Sequence, residues 1–573
     1  MGKRFLFRFF KDHWPAYAVG FVFMFLASWI QTLFPRILGD IVDVLEHAGF
    51  APASVHRQIF FLLLVAAGTF GTTYVWRNLV IGNARRLECD LRETLFEHFQ
   101  VLSPEFYNRR KTGDLIAYAI NDINAIRQTF GPATSQTLNG LSVILLSVVA
   151  MTRVMDGWTT LLVLVPVPFI LVFMLWIGRL VKKRFKKVQK NFATISDRVN
   201  ENISGIRVIK AYVQEDHEVR KFEKLNERMV ESNLAMVRVS AFLSPTIEVC
   251  FTLSFVLNLV LGGGKVLAGE ISLGDFVAFN GYLALLLKPV ISIGKVISVV
   301  QRGLASLARL DEILDVPAGI VDGGPVSDFP AQADLELRDL SFTYPGADRE
   351  ALSHIDLSVP AGRTLGILGR TGSGKTTLVQ LLMKTYNVDD GRILLGGTDL
   401  NDFTLAALRS GFGLVPQDGF LFSATVSENI RFFQDAYTPE QVSEAARNAC
   451  ILESLLDLPD GLDTVLGERG VNLSGGQKQR ISLARALVRD PQVLILDDAL
   501  SAVDTVTETA ILANLRRVRS GRTTLIVAHR ISAVMEADEI VVLDGGCIAE
   551  RGTHAELLAK GGLYRGIFDL QSR

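Results

Sequence analysis

The stretch that decides the fold of the second half of this chain is GRTGSGKT, at residues 369–376. It follows an apolar segment at residues 364–368, which predicts a buried strand, and it precedes a helical stretch from Thr377 to Lys384. Its glycines let backbone N–H groups curl around phosphate oxygens, and the start of the helix adds partial positive charge. The sequence therefore predicts a phosphate-binding loop, in which Lys375 reaches the β- and γ-phosphates of a nucleotide and Thr376 binds Mg²⁺.

Two acidic residues end a second apolar stretch, VLILDD at residues 493–498. Its four apolar residues predict a buried strand with Asp497 and Asp498 at the carboxyl end, where parallel sheets bind ligands. Together with the phosphate loop, this pattern predicts that Asp497 is the carboxylate on the Mg²⁺ side of the site, the Walker B element.

A third motif, LSGGQ at residues 473–477, precedes a predicted helix at residues 481–489. It predicts a second helix N-terminus that can bind an anion, although the same pattern alone could be only a capped helix. Strand signals begin at residue 335, after a linker at residues 313–334 that is rich in Pro, Gly, Ala and Asp, and they alternate with helical stretches. This alternation predicts an α/β domain with a largely parallel sheet.

The first part of the chain has a different composition. Residues 1–334 carry 35 Lys and Arg against 29 Asp and Glu, whereas residues 335–573 carry 24 against 31. Half of all residues are hydrophobic (49%), which excludes a disordered chain. No basic stripe occurs in the C-terminal part, which disfavours nucleic-acid binding. The four cysteines are far apart, so neither a disulfide scaffold nor a zinc site is indicated.

Six apolar stretches are long enough to cross the roughly 30 Å hydrocarbon core of a bilayer. They lie at residues 14–34, 58–81, 134–154, 158–178, 245–268 and 274–300. The segment at residues 179–240 carries 15 Lys and Arg and the segment at 82–133 carries seven, whereas the opposite connections hold only Arg36 and Arg57. The positive-inside rule therefore predicts that the long segments and both termini are cytoplasmic.

These two cytoplasmic segments contain few Gly or Pro and mixed charges, so they predict helices that continue out of the membrane as stalks. We expect the longer one to turn at residues 210–215 and the shorter one at residues 112–115. Glu248, in the fifth span, is costly in lipid and should face a cavity or a partner group. Lys288 and Lys295 could pair with it or reach toward an interface.

With LSGGQ placed between a phosphate loop and a Walker B strand, the C-terminal part resembles the nucleotide-binding domain of an ATP-binding cassette (ABC) transporter. The six spans with long cytoplasmic loops resemble the exporter-type (type IV) membrane domain of that family, so the resemblance covers essentially the whole chain. It implies an α-helical six-span transmembrane domain (residues 1–312), the linker (313–334) and an α/β P-loop ATP-binding cassette (335–573).

The resemblance also implies roles for individual residues. Tyr344 matches the aromatic residue that stacks on adenine, Gln417 the glutamine near Mg²⁺ and the attacking water, and His529 the switch histidine. Residues 501–504 match the D-loop, and residues 467–470 (GERG) resemble a loop that contacts the stalks. Asp498, Gln417 and His529 are the predicted catalytic residues, and Thr376, Gln417 and Asp497 the predicted Mg²⁺ ligands. The predicted ATP-binding residues are Tyr344, Gly369, Arg370, Thr371, Gly372, Ser373, Gly374, Lys375, Thr376, Thr377, Ser474, Gly475, Gly476 and Gln477.

In that family, ATP lies between the phosphate loop of one cassette and the LSGGQ of another, and twelve spans are usual. This chain has one of each motif and six spans, so the resemblance implies a second half-transporter as partner. Where the family has Glu after the Walker B Asp, this chain has Asp498, which resembles the degenerate subunit of heterodimeric exporters. A homodimer with a slow site is the alternative.

The resemblance implies ATP hydrolysis coupled to the export of amphipathic or hydrophobic small molecules, as in multidrug transporters, from a cell membrane. A lipid or glycolipid flippase, a siderophore-type importer and an ATP-gated regulator or channel use the same scaffold. One sequence does not separate a flippase from a drug pump.

Overall fold

The computed structural model describes residues 2–46, 52–467 and 470–572. The chain divides into two compact units. The first comprises Met1–Val101 and Arg110–Pro317, and the second comprises Leu102–Arg109 and Ala318–Arg573. The short segment Leu102–Arg109 therefore belongs with the C-terminal part of the chain, which the sequence does not predict.

The first unit is helical. Its helices are α1 (Gly2–Glu46), α2 (Pro52–Val101), α4 (Thr112–Ala117), α5 (Ile123–Gln128), α6 (Thr134–Val154), α7 (Gly157–Leu164), α8 (Pro166–Ser204), α9 (Ile206–Ala211), α10 (Glu215–Ser240), α11 (Leu243–Leu267) and α12 (Leu273–Leu314), while α3 (Pro104–Asn108) lies in the second unit. Within the described residues, six helical runs are long and apolar enough to cross a membrane. The prediction of six spans is confirmed.

The third span is not a uniform α-helix. Tyr118–Asp122 and Thr129–Ala133 are π-helical segments on either side of α5. Pro132 lies inside the second of them, and a proline cannot donate the backbone hydrogen bond that an α-helix requires. The third helical run, Thr112–Val154, is therefore assembled from α4, α5 and α6 with two such interruptions.

The longer stalk turns where the sequence predicts. Helix α9 ends at Ala211, α10 begins at Glu215, and Val213 between them has a left-handed φ of 53°. Below the membrane-spanning part, α8 and α10 are joined by a hydrogen bond of 2.7 Å from Asn191 to Ser232 and by an Arg198–Glu218 ion pair. The charged residues of this segment thus hold two long helices together.

The turn predicted for the shorter stalk at residues 112–115 is wrong. These residues form the start of α4, and the chain turns between Val101, the end of α2, and Thr112. The reason is local, because Ser103 is extended and Pro104 starts the separate helix α3, so α2 cannot continue. The extreme of this stalk is therefore α3.

The charged residues inside the spans do not pair as the sequence allowed. Glu248 on α11 and Lys288 and Lys295 on α12 are all exposed in this chain. Among the described residues, no ion pair joins Glu248 to either lysine. The predicted alternative in which Glu248 pairs with Lys288 or Lys295 of the same chain is therefore wrong.

Among its described residues, the second unit contains ten strands. They are β1 (Leu335–Phe342), β2 (Leu352–Val359), β3 (Thr364–Gly369), β4 (Ile393–Leu395), β5 (Thr398–Asp399), β6 (Phe412–Val415), β7 (Val493–Asp497), β8 (Thr523–Ala528), β9 (Glu539–Asp544) and β10 (Cys547–Gly552). Its remaining helices are α13 (Lys375–Leu382), α14 (Leu405–Gly411), α15 (Val426–Arg431), α16 (Pro439–Asn448), α17 (Leu452–Leu456), α18 (Gly475–Val488), α19 (Thr505–Val518), α20 (Ile531–Val534), α21 (His554–Lys560) and α22 (Leu563–Gln571).

A six-stranded sheet has the order β10-β9-β3-β8-β7-β6, in which all neighbours are parallel except β10 and β9. The predicted, largely parallel sheet of an α/β cassette is confirmed. A four-stranded antiparallel sheet, β2-β1-β4-β5, accompanies it and was not predicted, because its strands are short or irregular.

Both faces of the parallel sheet are buried. Alternate residues of β7 enter different cores: Leu494 and Leu496 pack in one, and Val493 and Ile495 in the other. A strand covered on both faces reads as a continuous apolar run, as residues 493–496 do. Because both faces are packed, the carboxyl ends of these strands have fixed positions.

Candidate ATP site

The carboxyl ends of four neighbouring parallel strands carry the predicted site residues. Strand β3 leads into the phosphate loop, β7 ends in Asp497, β8 precedes His529, and β6 precedes Gln417. In the sheet, Leu368 pairs with Ala528, Asp497 with Val527, and Val415 with Leu496. Strand register therefore places these four segments side by side.

The phosphate loop depends on two glycines with left-handed backbone. Gly372 has a φ of 83° and Gly374 a φ of 97°. A Cβ at Gly374 would also lie 2.6 Å from the carbonyl oxygen of Ala351, so no larger residue fits there. Helix α13 begins at Lys375, two residues before the predicted start, so its first N–H groups belong to the loop.

Lys375 is buried, and its Nζ donates hydrogen bonds to the carbonyl oxygens of Gly369 at 2.8 Å and Arg370 at 2.9 Å. Burial lowers the pKa of the Lys375 ammonium, and the nearby charges of Asp498 and Asp497 oppose that shift. The side chain is thus held inside the loop, where a phosphate oxygen can replace the carbonyls as acceptor.

Thr376 and Asp497 offer oxygen ligands of the kind that Mg²⁺ prefers. The Thr376 hydroxyl donates to Asp497 Oδ1 at 3.4 Å, and Asp497 is buried. Burial raises the pKa of Asp497, while the bond from Thr376 and the nearby Lys375 lower it. Mg²⁺ takes one or two protein oxygens together with substrate phosphates and water, so this small donor set fits it.

The backbone of Asp498 is fixed from two sides. Its N–H donates to the carbonyl oxygen of Val527 at 2.9 Å, and its own carbonyl accepts from Ser501 Oγ at 2.9 Å. Its φ of 50° is left-handed, a region that Asp tolerates better than most residues. With the backbone held in this way, the reach of the carboxylate is set by side-chain length.

Tyr344 lies beside the helix that follows the phosphate loop. Its hydroxyl is 2.9 Å from both Thr377 Oγ1 and Gln380 Oε1 on α13. Its ring meets the ring of Tyr386 edge to face, with centroids 5.2 Å apart. The structure therefore places Tyr344 against the helix that follows the phosphate loop, with the Thr377 side chain facing it.

The signature segment begins a helix directly instead of forming a turn before one. Ser474 is the N-cap of α18, and its hydroxyl accepts from Gln477 N while Gln477 Oε1 accepts from Ser474 N. The predicted helix start at residue 481 is wrong because this capping box allows α18 to begin at Gly475. The first N–H groups of α18 and the exposed Ser474 and Gly475 form the candidate anion site.

Within the chain, the signature segment contacts the D-loop. A Cβ at Gly476 would lie 2.7 Å from the carbonyl oxygen of Ala502. No hydrogen bond of the described residues links the signature segment to residues 369–377. Of the loop at residues 467–470, Glu468 and Arg469 lie outside the described residues, so the expected stalk contact is not addressed.

Sequence reasoning missed two groups of residues near the site. Gln479 on α18 accepts from Ala502 N at 3.0 Å and so joins the signature helix to the D-loop. Next to α3, Arg109 donates to the carbonyl of Pro345 at 3.1 Å, directly after Tyr344. A role for Gln479 could have been suspected because it lies two residues after LSGGQ. The contact between Arg109 and Pro345 has no sequence signal beyond Pro104, which starts α3.

Comparisons with known proteins agree with this geometry. Residues 17–290 match the ABC transporter transmembrane region and residues 352–501 match the ABC transporter domain. The chain is 38% identical to the "Probable multidrug resistance ABC transporter ATP-binding/permease protein" of Bacillus subtilis, over 98% of this chain and 96% of that protein. It is 35% identical to the "ATP-dependent lipid A-core flippase" of Salmonella typhimurium, over 87% and 86%.

The solved structure of a bacterial Atm1-family ABC exporter with ATP bound superposes with a TM-score of 0.79 at 27% identity, covering 97% of this chain and 99% of that one. The fold and site thus define an ATP-powered membrane transporter. The chain belongs to the ABC transporter family and has the exporter architecture. It is a multi-pass membrane protein that binds ATP and couples its hydrolysis to transport.

Proposed function

We propose that this chain is one half of a dimeric exporter, in which each ATP lies between the phosphate loop of one subunit and the signature segment of the other. The observation that carries this proposal is that the signature segment packs on Ala502 and exposes Ser474 and Gly475. Among the described residues, no hydrogen bond links it to the phosphate loop of the same chain. A second cassette can place its phosphate loop against this exposed segment.

We further propose that the partner is a different half-transporter. A general base must approach within about 2.6–3.2 Å of the proton that it removes. Asp498 is one methylene shorter than Glu, and its backbone is held by Val527 and Ser501. The carboxylate therefore stops roughly 1–1.5 Å short of the water, and a misplacement near 1 Å costs about 10²-fold in rate. A homodimer with two slow sites is the second candidate.

Thr376, Asp497 and Gln417 are the groups that would hold Mg²⁺ in this proposal, and Mg²⁺ would neutralise charge on the phosphates. The donor set fits because it consists of hard oxygens, two of which lie within 3.4 Å of each other. Lys375 and the N–H groups of the loop bind the phosphates. His529 directly follows β8, whose residue Val527 pairs with Asp497 in the sheet.

The proposed cargo is an amphipathic or hydrophobic small molecule. The Bacillus subtilis relative bears the name of a multidrug transporter, and the identity extends over 98% of this chain, spans included. The flippase name of the Salmonella relative makes lipid or glycolipid translocation the alternative. A siderophore-type importer on the same fold is the further alternative. Uptake of fluorescent dyes and of labelled lipids into inverted vesicles containing the complex tests the cargo. Transport of lipid alone would contradict the drug-export proposal.

We propose that both termini and the cassette are cytoplasmic, so that α9 and the following turn form the tip of the longer stalk. Tyr212 and Val213 at this tip are 73% and 81% exposed. The cassette carries an exposed aromatic cluster of Phe420, Phe422, Phe432 and Phe433. The exposed side chains of the stalk tip on one subunit and the exposed aromatic cluster on the other suit each other as a contact between subunits.

We expect a Val213→Cys substitution to form a cross-link to a cassette, and specifically to the partner's, when a short cross-linker with one thiol-reactive and one photoreactive end is added. The cross-linked species should run at the mass of two subunits on a denaturing gel. Cys89 and Cys547, which are both exposed, should be replaced in the background so that the new thiol is the exposed one in this chain. Efficient labelling of Val213→Cys by an impermeant reagent from outside intact cells would contradict the topology.

A further inference from the structure

The D-loop, residues 501–504, is held on two sides by side chains that have no role in the ATP chemistry proposed above. On one side, Gln479 of α18 accepts from Ala502 N at 3.0 Å and donates to Ser501 Oγ at 3.2 Å. On the other side, Arg530 donates to the carbonyl oxygens of Ser501 at 3.1 Å and Val503 at 3.4 Å. The loop thus bridges the signature helix and the residue that follows the switch histidine.

A buried carboxylate supports this bridge. Glu508 on α19 is 2% exposed, accepts from Ser532 Oγ at 2.8 Å, and pairs with Arg530 Nη1 at 3.4 Å. It also lines a cavity of about 10 Å³ together with Asp498 and Ser501. A buried charge is costly unless it is paired and hydrogen-bonded, so Glu508 constrains the position of the guanidinium.

The backbone around Arg530 is fixed as well. The side chain of Gln571, at the end of α22, donates to the carbonyl of His529 at 2.8 Å and accepts from the N–H of Ile531 at 2.9 Å. Gln571 thus links the backbone on both sides of Arg530, and Arg530 is itself linked to the D-loop by its two hydrogen bonds. The D-loop in turn touches the signature segment at Gly476.

We propose that Glu508 is a positioning residue that couples the two ATP sites of the dimer. It holds Arg530, and Arg530 ties the switch histidine of this chain's own site to the D-loop that supports the signature segment. Because the signature segment serves the partner's ATP, a change at one site is passed to the other. This inference rests on the proposed shared site.

The test is a double-mutant cycle in the assembled transporter. Glu508→Gln keeps the shape and the hydrogen bond from Ser532 but removes the charge, and Arg530→Lys keeps the charge but loses the fork that reaches two carbonyls. We expect each variant to lower the kcat of ATP hydrolysis about 10-fold and to leave KM for ATP within about twofold. Since both changes break the same link, the double variant should lose no more activity than the more severely affected single variant.

A matched control lies between the same two structural elements. Arg516 of α19 forms an exposed ion pair with Glu536, just after α20. We expect Glu536→Gln to leave kcat unchanged, because an exposed pair contributes little. The Tm of every variant shows whether a loss of activity comes from a loss of folded protein. If Glu508→Gln does not fold, the cycle is measured with Glu508→Asp and Arg530→Lys instead.

An unchanged kcat in Glu508→Gln, or losses that multiply in the double variant, would overturn the inference. A lower Tm with an unchanged kcat per folded transporter would also overturn it, because Glu508 would then be only structural. The failure of the shared site itself is recognised separately. If Gly475→Asp leaves ATPase activity intact, the shared site is wrong, whereas loss in Gly475→Asp without loss in Glu508→Gln overturns only the coupling.

Discussion

A Gly475→Asp substitution is expected to abolish nearly all ATP hydrolysis by the assembled transporter. Gly475 is exposed at the start of α18, where the partner's γ-phosphate is proposed to bind. The substitution would bring a carboxylate against that phosphate. Two like charges about 4 Å apart at an effective dielectric constant near 20 repel by about 4 kcal/mol, roughly a 10³-fold effect on an equilibrium or a rate. The measurement is the steady-state ATPase rate of the purified complex.

Gly475→Ala is the matched control for this substitution. A Cβ at Gly475 would lie 3.5 Å from the Cβ of Ala502, which is ordinary van der Waals contact. The alanine variant should therefore fold and keep most of the activity, so the loss in Gly475→Asp reports charge and not crowding. Full ATPase activity in Gly475→Asp would show that this segment does not contact the nucleotide.

A Lys375→Ala substitution is expected to remove most of the ATP that this chain's own phosphate loop retains. Lys375 is buried inside the loop with only carbonyl acceptors, so its charge is available to the phosphates. Hydrogen bonds to charged groups contribute about 1.5–3 kcal/mol each, which corresponds to roughly 10- to 150-fold weaker retention. The readout is the nucleotide that remains bound after free ATP is removed.

In a heterodimer, the ATPase rate of the Lys375→Ala complex should fall by less than the retention, because fast hydrolysis occurs at the partner's phosphate loop. Lys560 on α21 donates to the carbonyl of Arg551, so Lys560→Ala is the control for the loss of a lysine from the same domain. Equal and complete loss of both quantities in Lys375→Ala would place the fast site on this chain.

The sequence predicts the parts of this protein that depend on local patterns. Long apolar runs predicted the six spans, and the apolar run at residues 493–496 predicted a strand that is buried on both faces. The phosphate loop could be located because a left-handed backbone at Gly372 and Gly374 is a local requirement. Those features need no information about which residues meet in space.

The features that sequence reasoning missed depend on contacts between distant residues. Helix α18 begins at Gly475, before the predicted start at residue 481, because Ser474 and Gln477 cap each other. The bridge from Glu508 to Arg530 joins residues 22 positions apart, and neither has a motif of its own. Contacts such as that between Glu508 and Arg530 can be identified only after the fold has brought the two segments together.

We propose that Asp498 does not act as a working general base, and the ATPase rate of an Asp498→Asn complex tests this proposal. Asparagine keeps the size of the side chain and removes its basicity. We expect the rate of the assembled transporter to stay within about twofold of the unmodified complex, since a base displaced by about 1 Å already loses about 10²-fold. A fall to the background rate would contradict the account, because Asp498 would then remove the proton itself and the chain would fit a homodimer.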